Sequence, residues 1–193
     1  MYHPQHTYDY TIADLQRRIA IYEDSDAYKQ LFFKLFPLLQ NFAFAITKNR
    51  PLSEEIASDA MMEVWARRAK LLDIDDLKMY LYVSVRNAAL RKLKQEKNVV
   101  TLSIYDIKVE FLSDYVNPEE EVSAFELKRK IDTAIIELPP KCQMIYKLAK
   151  EDKMKYKDIA SLLNISIKTI DAQLAIALKR IAEAIHYRQK KGK

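Results

Sequence analysis

Lys78, Tyr82 and Arg86 follow one another at intervals of four residues, so any helix that contains them carries all three on one ridge. Two cations flanking a phenol suit an unpaired nucleic-acid strand: the cations track phosphates, and an exposed ring stacks on a base for about 1–3 kcal/mol. Asn87, Arg91 and Lys94 extend the same polar surface, with Lys92 and Lys97 nearby. Leu77, Leu81, Val85 and Ala88 supply the apolar stripe that would bury the other side of the helix. A solvated helix with a structural tyrosine is the plain alternative, and these residues alone leave both readings open.

A second set lies between Tyr156 and Leu174. Ile159, Ala160 and Leu163 mark a short helix, Asn164 suits a left-handed stop, and Ser166 suits the cap of a following helix. Ile170 and Leu174 then face back toward the first helix, Ala160 is small where the two must cross, and Ile165 plugs the turn. This is the layout of a helix-turn-helix, whose second helix enters the major groove. It would present Lys168, Thr169, Asp171, Ala172 and Gln173 to base edges, where Gln pairs with adenine and Asp accepts from cytosine. Lys179 and Arg180, with Lys153, Lys155 and Lys157, are suited to phosphates, which set register without reading sequence.

The third set is Asp59, Met62 and Glu63. Ser53 is the expected N-cap of a helix over about 53–70 whose core side is Ile56, Ala57, Ala60, Met61, Val64 and Trp65. Its outer side, Ser58, Asp59, Met62, Glu63 and Arg67, is a mixed polar surface that either docks a partner or is simply solvated.

The elements that must hold these sets are all helical. Tyr28 to Lys48 has the apolar period of one or two helices, with Pro37 expected to kink or divide it. A helix over about 125–138 should stop at Pro139 and Pro140, and another should cover 141–150. Residues 1–23 show only partial helical spacing, at Ile12, Leu15 and Ile19, and are compatible with a helix or with disorder. The single glycine, Gly192, sits in the last residues, which leaves none for tight hairpins and favours an all-α fold.

Charge divides the chain. Residues 1–23 carry −1, 24–100 carry +3, 101–125 carry −5 and 126–193 carry +8. The acidic stretch contains Asn117, Pro118 and three successive glutamates and lacks a sustained helical period. It reads as a linker, so the expected organisation is an N-terminal extension (1–23), two small helical domains (24–100 and 126–193), and an acidic joint (101–125), with the helix-turn-helix in the second domain.

Composition excludes several classes. With 49% hydrophobic and 31% charged residues the chain suits a folded, water-soluble protein. One cysteine and three scattered histidines give no disulfide and no metal-ligand spacing, and no glycine-rich phosphate loop or nucleophile and base pair is present. No cofactor, no metal, no catalysis, no membrane insertion and a cytoplasmic location are therefore expected.

In combination these segments resemble the extracytoplasmic-function group of bacterial RNA polymerase sigma factors, in the version common among Bacteroidetes, over about 24–97 and 126–186. Ser53 to Trp65 looks like region 2.2, which implies that Asp59, Met62 and Glu63 contact the clamp coiled coil of the polymerase β′ subunit. Tyr80 to Asn87 looks like regions 2.3 and 2.4, which implies capture of the unpaired −10 strand by Lys78, Tyr82, Arg86, Asn87, Arg91 and Lys94. The turn over 71–76 stands where related factors hold a flipped-out base. The segments around Leu138 and Tyr156 are similar to region 4, which implies reading of the −35 element by Lys168, Thr169, Asp171, Ala172, Gln173, Lys179 and Arg180. The resemblance further implies core RNA polymerase (β′ clamp and β flap) and promoter DNA as partners, and an anti-sigma factor that wedges between the domains. Two departures stand out: Ser58 replaces a frequent Gln, and Asp171, Gln173 and Ile176 replace frequent basic residues, so the −35 sequence does not carry over from relatives.

Two other readings compete. A dimeric repressor would use the same helix-turn-helix on duplex DNA but leaves the Tyr82 ridge unused. A protein-interaction module has no need of +8 in its last 68 residues, 126–193. The sigma-factor reading expects the two basic units to be held apart, with Tyr82 and Arg86 within reach of nucleic acid.

Overall fold

The computed structural model describes residues 10–97 and 122–186. The expected linker, as far as residue 121, and residues 1–9 lie outside the described residues. Among the described residues there are helices and no strand.

The first unit opens with α1 (Ile12–Tyr22), which settles the open question about the N-terminal segment. Thr11 and Asp14 form a reciprocal capping box at its start, and Leu15 and Ile19 are fully buried. Asp24 caps α2 (Ser25–Thr47) by accepting from the Ala27 N–H at 2.9 Å, and its other oxygen pairs with Arg18 at 2.6 Å. Of the kink or division expected at Pro37, the division does not occur: α2 runs through it, and Pro37 is exposed, where water can serve the carbonyl freed by the missing N–H.

The third helix, α3 (Arg50–Ala66), starts earlier than expected. Asn49 is its N-cap, accepting from the Leu52 N–H at 3.1 Å, while Ser53 is buried inside the first turns and donates to the Arg50 carbonyl. Pro51 explains the shift, because proline belongs in the first helical turn where an N–H has no partner. A tight turn (Arg68–Asp73) then leads to α4 (Leu77–Lys97), which packs on α2 and α3 through Leu77, Leu81, Val85, Ala89 and Leu93.

The second unit comprises α5 (Val122–Ile136), α6 (Pro140–Tyr146), a π-helical turn (Lys147–Glu151), α7 (Tyr156–Leu163) and α8 (Ile167–His186). The helix expected over 141–150 therefore widens into a π turn at Lys147. Buried Gln143 donates to the Ile135 carbonyl at 2.9 Å, tying α6 to the end of α5. Ala134, Leu138, Cys142, Ala177 and Ile181 form a small core between α5, α6 and α8.

The two units are not held apart. Ile145, Leu148, Met154, Ile159 and Leu162 belong to one contiguous buried cluster with Phe42, Leu81 and Tyr82 of the first unit. The separate placement expected from the sequence is thus replaced by direct packing of α4 against the π turn and α7. The physical reason is apolar area: α7 buries Leu162 at its inner end, and α4 offers a complementary surface.

Candidate nucleic-acid and polymerase interface

The helix-turn-helix forms as its residues predict. Asn164 takes the left-handed conformation (φ 55°, ψ 51°) that ends α7, and the Ile165 N–H reaches the Ala160 carbonyl at 3.0 Å. Ser166 accepts from the Thr169 N–H at 3.0 Å and starts α8, which leaves α7 at a bend of 106°. Ile170 and Leu174 are buried against Ile159 and Leu163, so the outer side of α8 is fixed by the core.

On that outer side Lys168, Asp171, Ala172, Lys179 and Arg180 are exposed. Lys179 makes only a loose contact with Glu183, at 4.0 Å. Two of the expected base-reading residues are partly engaged within the protein. The Thr169 hydroxyl lies 2.8 Å from the Ser166 hydroxyl, so it strengthens the cap. Half-buried Gln173 accepts at its side-chain carbonyl from the Cys142 thiol at 2.8 Å. A bidentate pair with adenine uses both ends of the amide, and the second lone pair of the Gln173 carbonyl leaves that pairing compatible with the thiol contact. Burial pushes the Cys142 thiol up, which keeps it a protonated donor.

The face of α3 matches its expected pattern. Asp59 and Met62 are exposed, Met62 at 59%, and Glu63 pairs with Arg67 at 3.0 Å one turn on. An exposed thioether bordered by two carboxylates is a small apolar anchor in an acidic rim. Beneath it, the Tyr28 phenol donates to the Met61 carbonyl at 3.0 Å and its ring packs 5.1 Å from that of Trp65, which holds α3 rigidly on α2.

The α4 ridge differs from its expected state. Tyr82 is fully buried, with its ring 5.0 Å from Phe42 and its hydroxyl donating to Oδ2 of Asp152 at 2.6 Å. Lys78 donates to the Asp152 carbonyl, and Arg86 to the Leu162 carbonyl at 2.7 Å. The exposed tyrosine expected from the sequence is therefore covered, because the second unit sits on it. Burial beside Asp152 holds the Tyr82 phenol well above its ordinary range, and burial lowers the Lys78 ammonium despite the neighbouring carboxylates. Asn87 and Arg91 remain exposed and Lys94 half-exposed, around an open groove of about 370 Å³ shared with Leu90 and Gln95.

Two residues of structural weight were not singled out in the sequence. Asp152 lies in an unremarkable Glu-Asp-Lys turn and has no signature. Gln16 does: it is a polar residue on the buried side of α1, and its amide donates to the carbonyls of Leu71 and Ile74 at 2.6 and 2.7 Å. It thereby fixes the turn that precedes α4.

Comparison with known proteins gives the frame. The family model for Sigma-70 region 2 matches residues 31–99, and that for Sigma-70, region 4 matches residues 128–181. The sigma factor RpoE from Bartonella quintana, solved in complex with the anti-sigma factor NepR, is similar in fold with a TM-score of 0.52 at 20% identity, over 82% of this chain and 96% of that one. CnrH, solved in complex with the cytosolic domain of CnrY, has a TM-score of 0.48 at 15% identity, over 90% of this chain and 96% of that one. No curated protein matches the chain. With regions 2 and 4 both matched, in that order and together over more than half of its length, the chain belongs to the sigma-70 family and is a sigma factor, a subunit that joins core RNA polymerase to promoter DNA.

Proposed function

We propose that this sigma factor is of the extracytoplasmic-function type, in a form like that of Bacteroidetes, and acts through three surfaces. Asp59, Met62 and Glu63 on α3 dock on the β′ clamp of core polymerase, and the second unit contacts the β flap. Lys168, Thr169, Asp171, Ala172 and Gln173 at the start of α8 read the −35 element, with Lys179 and Arg180 on phosphates. Lys78, Tyr82, Arg86, Asn87, Arg91 and Lys94 on α4 hold the unpaired −10 strand. Residues 24–100, with α1 packed into their core, and the second unit from α5 onward act as the two domains.

One observation carries this reading: a helix-turn-helix, within the region 4 match, and a cationic helix, within the region 2 match, occur on one chain. A stand-alone repressor accounts only for the former. Melting would draw its free energy from stacking of unpaired bases and from phosphate contacts, without nucleotide hydrolysis, and so needs no cofactor. An anti-sigma partner is consistent with the company in which RpoE was solved. Among the described residues no single helix is long and apolar enough to cross a membrane.

The test is reconstitution with purified core polymerase on a library of genomic promoters. Start sites that share −10 and −35 elements and depend on this chain support the reading. Tight binding to palindromic duplex DNA, with no effect on polymerase, would replace it with the repressor.

A further inference from the structure

Ile167, Ile176 and Leu178 are the exposed large apolar side chains of α8, and they do not stand in equivalent places. The buried stripe of the helix is Ile170, Leu174, Ala177 and Ile181. Ile167 comes three residues before Ile170, and Leu178 four after Leu174, so both border that stripe, where partial exposure is ordinary. Ile176 lies away from it. Its neighbours three and four residues to either side are Ala172, Gln173, Lys179 and Arg180, and it is 41% exposed among them.

The core packing of Ile170 and Leu174 against Ile159 and Leu163 fixes the rotation of α8. When Ala172 and Gln173 face a DNA groove, Ile176 therefore faces it too, one turn further along. Four residues advance about 6 Å along the axis, or roughly two base steps of about 3.4 Å. Ala172 has no bulk to hold the helix off the base edges, and the cations of Lys179 and Arg180 seat the far end on phosphates. The Ile176 side chain carries no hydrogen-bonding group, and as a β-branched residue in a helix it is held close to one rotamer. The apolar group that the major groove offers such a side chain is the C5-methyl of thymine.

We propose that Ile176 is a specificity-determining residue: it packs on the C5-methyl group of one thymine in the −35 element, a helical turn beyond the base pair that Ala172 and Gln173 meet. The inference rests on the reading of α8 as the −35 helix, and adds the identity of one base there. Both apolar groups are open to water in the free molecules, so their contact favours thymine over any base without the methyl. Only one strand of an A·T pair carries that methyl, so the contact also distinguishes A·T from T·A.

The test uses the full chain bound to core polymerase, on a promoter recovered by reconstitution. Each thymine of the −35 element, on either strand, is replaced in turn by uracil, which deletes the methyl and keeps every hydrogen-bonding group. Competition binding then compares the parent with Ile176→Ala and Ile176→Val. At one thymine the parent should lose about fourfold in affinity on change to uracil, as exposure of one methyl allows. Ile176→Ala should bind the thymine promoter about fourfold or more weakly and lose nothing further with uracil at that position, while Ile176→Val keeps most of the sensitivity. A −35 element without an A·T pair, no uracil penalty in the parent, or a penalty at every sensitive thymine that survives in Ile176→Ala overturns the assignment. So does a variant that loses core polymerase while its uracil penalties stay as in the parent, which gives Ile176 to a protein partner. A Lys179→Ala, Arg180→Ala double variant keeps these failures apart from that of the underlying reading. If it loses −35 protection, α8 remains the −35 helix whatever Ile176 does; if protection is intact, the reading of α8 fails and the assignment with it.

Discussion

The phenol of Tyr82 and the carboxylate of Asp152, 70 positions apart in the chain, meet in a hydrogen bond of 2.6 Å that joins the two sigma regions. The bond lies beside fully buried apolar side chains, where a charge-assisted contact is strong and an orphaned partner is costly. It places the residue best suited to stack on a promoter base in contact with the other half of the molecule. On the proposed function, the second unit and an unpaired strand would therefore both need this ridge.

Docking to polymerase should depend on the outer side of α3. Asp59→Lys or Glu63→Lys is expected to weaken binding to core polymerase by a factor on the order of ten or more, and Met62→Ala by a similar amount, with helicity unchanged because none of the three is buried. Co-elution with core enzyme and surface plasmon resonance measure this directly.

On α8 two kinds of effect should separate. Lys179→Ala or Arg180→Ala should weaken −35 duplex binding evenly across sequences and lower the slope of log affinity against log salt by about one. Asp171→Asn should change sequence preference with little effect on that slope.

Gln16 should matter for stability as well as for promoter opening. Gln16→Ala removes the side-chain donor to the Ile74 carbonyl and one of two donors to the Leu71 carbonyl, which keeps the Ile74 N–H, and is expected to cost about 1–3 kcal/mol in denaturant unfolding. Gln16→Glu should be worse, since it places a carboxylate against two carbonyls.

Asp24 gives a pH dependence of known sign. The Ala27 N–H, then the Arg18 guanidinium, hold its carboxyl below the ordinary value of 3.8 in the folded state. Its contribution is therefore complete above that value and is lost as pH falls through the lower, folded-state value. Asp24→Ala should cost about 0.5–2 kcal/mol at neutral pH, as loss of an N-cap does, and the difference from the parent should shrink on acidification below about 4.

Much of the fold was legible because it follows from local rules. The helix-turn-helix was readable from Asn164, Ser166 and the spacing of Ile159, Leu163, Ile170 and Leu174, and each takes its expected place. The face of α3 was readable too, although its cap was not: Asn49 with Pro51 outweighs Ser53 because a proline fixes the first turn. What could not be read was tertiary. Nothing local to Tyr82 distinguishes a ring that meets a base from one that meets Asp152, since both uses need the same phenol on the same ridge. Pro37 likewise looked like a break, and only its exposure within a long packed helix shows why it is tolerated.

On the proposed function, this chain brings polymerase to a promoter and holds the promoter open through α4. Permanganate footprinting of unpaired thymines, on a promoter recovered by reconstitution with core enzyme, tests it most directly. The expected result is a −10 bubble with the parent chain, a bubble reduced about tenfold or more with Arg86→Ala and Arg91→Ala together, and retained −35 protection in both. An undiminished bubble in that double variant, or none with the parent despite polymerase binding, would contradict it.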